Sequence, residues 1–177
     1  MIKKILPGLV AIIAIILIVA AVQPAAFRVQ RSATIAATPQ TLFDQVNDHK
    51  KFEVWNPWSK MDPGSKTTYS GADAGVGAVA SWVGGKTGEG SSTITDSKPG
   101  ELVRQRMDWK KPMEGTSTVE FTFKPEGDKT VVTWAMYGEN QFMGKLVSLF
   151  MSTESMCGPE FEKGLADLAK VVATPAQ

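Results

Sequence analysis

The chain has 177 residues, enough for one domain and a short appendage. Its 19 basic and 18 acidic residues nearly cancel, which excludes a nucleic-acid footprint built on concentrated Lys and Arg. A single cysteine, Cys157, rules out an intrachain disulfide and a CxxC metal knuckle, and a single histidine, His49, rules out a His₂ or His₃ metal site, so no metal or other cofactor is expected.

The first element is Ile5–Val22, a run of 18 residues without a charge. As a helix it would extend about 27 Å, close to the hydrocarbon core of a bilayer. Residues 1–26 are therefore expected to form a single-pass membrane anchor and short linker. Lys3 and Lys4 favour a cytoplasmic N-terminus and an extracytoplasmic domain, while Arg28 and Arg31 pull the other way. A cleaved signal peptide is the rival, with Val19-Ala20-Ala21 as its cleavage site. The apolar run exceeds the usual h-region of 7–15 residues, which favours the retained anchor.

Residues 27–177 are read as one domain. Residues 27–35 alternate as a strand. Thr38-Pro39 starts a helix, hydroxyl N-cap then proline, with Leu42, Phe43 and Val46 on its apolar face. Asp44 and Asp48 fall at i, i+4, a solvated pair on that helix. His49 is expected at a helix end or the surface, not as a catalytic base, since no G-x-S-x-G elbow accompanies it. Trp55-Asn-Pro-Trp58 is an aromatic knot expected to seal one end of a core.

Strands follow at 66–70, 76–83, 89–97, 101–109, 117–124 and 129–137, separated by Gly- and Pro-bearing turns, the pattern of an antiparallel meander. Gly84-Gly85 to Gly90 does not match a phosphate loop and reads as a hairpin turn. Shared parity places Ala78, Ala80, Trp82, Val103, Gln105, Met107, Trp109, Val119, Phe121, Phe123, Val132, Trp134 and Met136 on one face. A register pairing Phe121 with Val132 and Val119 with Trp134 leaves 125–128 as the turn and sets Arg106 opposite Glu120. The tail from about Gln141 to Ala173 is helical. Its stripe of Phe142, Leu146, Leu149 and Phe150 continues through Phe161, Leu165, Leu168 and Val172 after a break at Gly158-Pro159. The fold class is thus α+β.

The order of elements, with Trp55-Asn-Pro-Trp58, Tyr69-Ser-Gly71, Gly75-Val-Gly77, Trp82, Phe121-Thr-Phe123, Val132-Thr-Trp134, Phe142-Met-Gly-Lys145 and Phe161-Glu-Lys-Gly-Leu165, resembles the SRPBCC superfamily (START and birch-pollen-allergen-like proteins), in its bacterial polyketide cyclase/dehydrase form. The resemblance implies a helix-grip fold, a curved sheet of about seven strands on a long C-terminal helix with a cavity between them. Such a fold leaves function open. One reading is a binding module for a hydrophobic or amphipathic small molecule or lipid. Its cavity would be lined by Ala80, Trp82, Gln105, Met107, Trp109, Phe121, Phe123, Trp134, Met136, Phe142, Leu146 and Phe150, with Gln105 as the lone inward polar group. A second reading is a cyclase, dehydratase or hydrolase, for which only Gln105, Glu114, Tyr137 and Glu139 offer polar chemistry. A chaperone- or stress-linked interaction domain is the third.

Overall fold

The computed structural model describes residues 2–173, with side chains from Gly8 onward. The last four residues of the expected domain and the side chains of Ile5, Leu6 and Pro7 lie outside them. Helix α1 (Ile2–Val22) comes first. Among the described residues no helix is long and apolar enough to cross a membrane. The described side chains of α1 begin at Gly8, and the stretch they leave is shorter than the ~20 residues a bilayer requires.

Strand β1 (Ala26–Ile35) is followed by three short helices, α2 (Pro39–Val46), α3 (His49–Trp55) and α4 (Pro57–Met61). Each begins on a polar cap. Thr38 accepts from Thr41 N, Asp48 Oδ1 accepts from Lys50 N, and Asn56 Oδ1 accepts from Trp58 N. Asp44 and Asp48 therefore do not share a helix: α2 ends at Val46, and Asp48 is spent on capping α3.

Strands β2 (Lys66–Gly71), β3 (Ala78–Val83), β4 (Glu89–Lys98), β5 (Leu102–Lys111), β6 (Gly115–Glu126) and β7 (Lys129–Glu139) form a continuous antiparallel meander, and β1 closes on β7. Alternation is strict on β6, where Ser117, Val119, Phe121 and Phe123 are buried and Thr118, Glu120 and Thr122 are not. The expected face is correct, and the expected register is displaced by two residues. Phe121 pairs with Trp134 and Val119 with Met136, because Pro125 and Glu126 extend β6 and the turn tightens to Gly127-Asp128. Gly127 at φ 62° supplies the left-handed backbone such a turn needs. The β5–β6 register is separately displaced by two residues, so Arg104, not Arg106, faces Glu120, with Nη2–Oε2 at 2.8 Å.

Helix α5 (Phe142–Ser148) and helix α6 (Thr153–Ala173) complete the chain. The break between them falls at 149–152, not at Gly158-Pro159. Ser152 Oγ accepts from Ser155 N and starts α6, which then runs through Pro159. Phe161, Leu165 and Leu168 of α6 are buried against the sheet. Arg31 of β1 bridges Glu154 and Glu162 of α6 at 2.5 Å each, tying the edge strand to the helix. At one end of the sheet α2, α3 and α4 close over an aromatic core of Phe43, Trp55, Phe121, Phe123 and Trp134. At the other end the sheet and helices part.

Candidate functional site: a cavity between sheet and helices

The parting encloses a cavity of about 730 Å³. Its floor is the inner face of the sheet: Ala80 and Trp82 of β3, Ser92 of β4, Gln105, Met107 and Trp109 of β5, Ser117 and Val119 of β6, and Trp134 and Met136 of β7. His49, Phe52 and Glu53 of α3 and Asn56 and Trp58 around the start of α4 form one wall. Met143, Gly144 and Val147 of α5 and Met156, Cys157 and Phe161 of α6 form the other. A second depression of about 420 Å³ lies around Arg106, Thr118 and Tyr137 and shares Thr116, Ser117 and Glu139 with the cavity lining.

Of the residues expected to line the cavity, Ala80, Trp82, Gln105, Met107, Trp109, Trp134 and Met136 do so. Phe121 and Phe123 share their parity but lie deeper along β6, where helices cover the sheet. Phe121 is sealed among Phe52, Trp55 and Trp134, with ring centroids at 6.0, 6.1 and 4.8 Å, and Phe123 meets Phe43 edge-on at 6.1 Å. Phe142, Leu146 and Phe150 are also off the cavity. The opposite edge of α5 faces it, α5 packs against α1, and Phe150 is 78% exposed. Tyr137 points outward, where its hydroxyl donates to Glu120 Oε2 at 3.2 Å and Arg28 lies over its ring, so it is not on the rim. Glu114 and Glu139 are on the lining.

The cavity lining includes the Trp82–Trp109 pair, centroids 5.6 Å apart and edge-to-face. Each indole is fixed by its N–H, Trp82 Nε1 donating to Thr87 O at 3.3 Å and Trp109 Nε1 to Ser117 Oγ at 3.0 Å. Thr87 is held in turn by Asp62 Oδ2, which accepts from Lys86 N, Thr87 N and Thr87 Oγ1. Those backbone bonds, countered in part by burial, lower the Asp62 pKa below the usual carboxyl range.

Gln105 is not the lone polar group. Ser92 Oγ donates to Gln105 Oε1 at 3.1 Å, leaving Gln105 Nε2 buried without a partner. His49, 4% exposed, is a helix-end residue but not a surface one. Burial drives its pKa down, opposed by a hydrogen bond to the Ala78 backbone and by the Asp48 charge, so the ring is neutral near pH 7. His49 Nε2 and Trp134 Nε1 are likewise buried without partners. Sequence parity would have found Ser92 and Ser117, which alternate in phase with Ile94 and Val119. Nothing in the sequence signals that α3 turns His49 inward. Cys157 lines the far wall, and burial, reinforced by Glu154 and Glu160, pushes its thiol up to about 11. It stays protonated and is a poor nucleophile. Among the described residues no three His, Cys, Asp or Glu side chains cluster as metal ligands.

A seven-stranded antiparallel sheet with a long C-terminal helix across one face and a cavity between them defines the helix-grip class. Solved structures with this fold include a truncated norcoclaurine synthase from Thalictrum flavum (TM-score 0.61, 14% identity, covering 88% of this chain and 98% of that one). A protein from Mesorhizobium loti matches with TM-score 0.63 at 13% identity, covering 85% of this chain and 100% of that one. The Aha1 dimer of Colwellia psychrerythraea matches with TM-score 0.59 at 14% identity, covering 82% and 96%. A search of curated protein sequences yields no match. Residues 26–173 match the family model described as polyketide cyclase / dehydrase and lipid transport, and the chain belongs to that family.

Proposed function

We propose that this protein binds a hydrophobic or amphipathic small molecule, lipid-like or aromatic, between the sheet and helices α5 and α6. The observation that carries the reading is the cavity itself. At about 730 Å³, walled by Trp, Phe and Met with a few convergent polar atoms, it has the size and chemistry of small-molecule sites. Five methionines on the lining (Met107, Met113, Met136, Met143 and Met156) give it walls that adapt to ligand shape. The family description, which includes lipid transport, points the same way. Enzyme chemistry has less support. The buried base, His49, has no acid partner in hydrogen-bond contact, and the Cys157 thiol is held protonated.

The uncharged run Ile5–Val22 further supports tethering at a membrane, with the domain on the extracytoplasmic side. The test of binding is organic extraction of the purified full-length chain followed by mass spectrometry. A stoichiometric small molecule, absent from a variant with a filled cavity, is the expected result. For the tether, alkaline washing of membranes should leave the chain in the pellet, and a mature N-terminus near Val22 would contradict it.

A further inference from the structure

Among the described residues, three that line the cavity each carry a buried side-chain nitrogen without a hydrogen-bond partner: His49 Nε2, Gln105 Nε2 and Trp134 Nε1. A buried polar atom left unpaired is destabilising, and native structures hold few of them. Three behind the wall of one cavity mark where a guest that shifts these side chains supplies the missing atoms. Their polarity specifies that guest. Gln105 Oε1 is already used by Ser92, so its Nε2 offers N–H to an acceptor, and Trp134 Nε1 can only donate. A hydroxyl can pair with His49 Nε2 in either tautomer of the neutral ring, donating or accepting as the imidazole requires.

The charged groups limit the guest further. The ionisable side chains on the lining besides His49 and Cys157 are Glu53, Glu114, Glu139 and Lys111, and Lys111 Nζ already sits 2.6 Å from Glu89 Oε1. A carboxylate or phosphate drawn into this cavity would meet acids and no free guanidinium or ammonium.

Building on the binding reading above, we infer that the ligand is an uncharged, oxygenated apolar molecule whose hydroxyl pairs with His49 and whose hydroxyl or carbonyl oxygen accepts from Gln105 or Trp134. A free fatty acid in its ionised form is selected against. The apolar body lies against the rest of the lining, which includes Met107, Met143 and Val147.

Equilibrium dialysis of the full-length chain against naphthalene, 2-naphthol and 2-naphthoate at pH 7.5, with a detergent-only blank, separates these alternatives. The 2-naphthol Kd should lie about fivefold to tenfold below that of naphthalene, the effect of one or two hydrogen bonds. Binding of 2-naphthoate should be at least about tenfold weaker than that of 2-naphthol, as an unpaired buried charge requires. Q105L and H49F should each bring the naphthol-to-naphthalene ratio toward one while naphthalene still binds. The wild-type ratio needs no variant, so a folding defect in either substitution leaves the test intact. Equal affinity for all three probes, or tightest binding of 2-naphthoate, overturns the inference and leaves the binding reading standing. Failure of every probe to bind overturns both.

Discussion

Gly164 of α6 lies against the indole of Trp134 so closely that a Cβ at 164 would stand 2.6 Å from Trp134 Cζ3 and 3.1 Å from Pro57 Cδ. The missing side chain lets the helix descend onto the sheet and lets Phe161, one turn earlier, stack on the same indole at 4.3 Å and 8°. Trp134 is thereby clamped between Phe161 and Phe121. The clamp marks the boundary between solid core and cavity.

Gly164→Ala tests that contact. Alanine gains about 1 kcal/mol of helix propensity, whereas overpacking costs about 1–3 kcal/mol. The atoms in the way belong to a sandwiched indole and a proline ring, neither of which can swing aside, so overpacking wins. A net loss on the order of 1 kcal/mol is expected in urea unfolding, and a gain in stability would refute the close approach.

The two tryptophans of the Trp55-Asn-Pro-Trp58 knot divide their roles. Trp55 is fully buried, meets Trp134 and Phe52 at 5.7 and 4.6 Å, and donates its N–H to Gln45 O. Trp55→Ala should cost about 3–5 kcal/mol. Trp58 is half-buried, lines the cavity and meets Phe161 at 5.9 Å. Trp58→Ala should cost less stability and change probe uptake instead. Calorimetry of both variants beside a binding assay decides it, and equal losses of stability would contradict the division.

His49 predicts a pH dependence with a definite sign. Its folded pKa lies below the usual 6.5, chiefly through burial, so below that pH the unfolded chain takes up a proton that the folded chain resists. This contribution is neutral above pH 6.5, turns unfavourable as pH falls below it, and levels off beneath the folded value. Thermal melts between pH 8 and pH 5 should show the decline, and His49→Gln should flatten it. A histidine that titrates by NMR at or above 6.5 would remove the basis for the effect.

Much of this architecture was legible in the chain because period-two alternation needs no long-range information. Val119, Phe121 and Phe123 announce their face locally, and so do Val132, Trp134 and Met136. Register was less accessible. A slip of two residues keeps every side chain on its proper face, so alternation cannot separate Phe121–Val132 from the actual Phe121–Trp134 pair. The turn decides it, through Gly127. The α5 stripe misled for a different reason. Phe142, Leu146 and Phe150 form an apolar stripe in the sequence, but α5 presents Met143, Gly144 and Val147 to the cavity, and Phe142 and Phe150 are exposed. Where the sheet is covered and where it stands clear depends on how far α2, α3 and α4 reach along it, a tertiary quantity no local pattern encodes.

Occupancy of the space above Ala80 and Gln105 by a small molecule can be measured directly. Ala80, 9% exposed on the cavity floor, can be replaced by tryptophan to fill that space from below. The decisive measurement is equilibrium dialysis of an uncharged aromatic probe such as 2-naphthol against the wild-type full-length chain and its Ala80→Trp variant, with thermal melts of both. Near one-to-one uptake by the wild type, reduced at least about tenfold in a variant that still melts cooperatively, is the result expected when a bulky ring occupies the site. No saturable uptake by the wild type, or undiminished uptake by Ala80→Trp, would contradict the account.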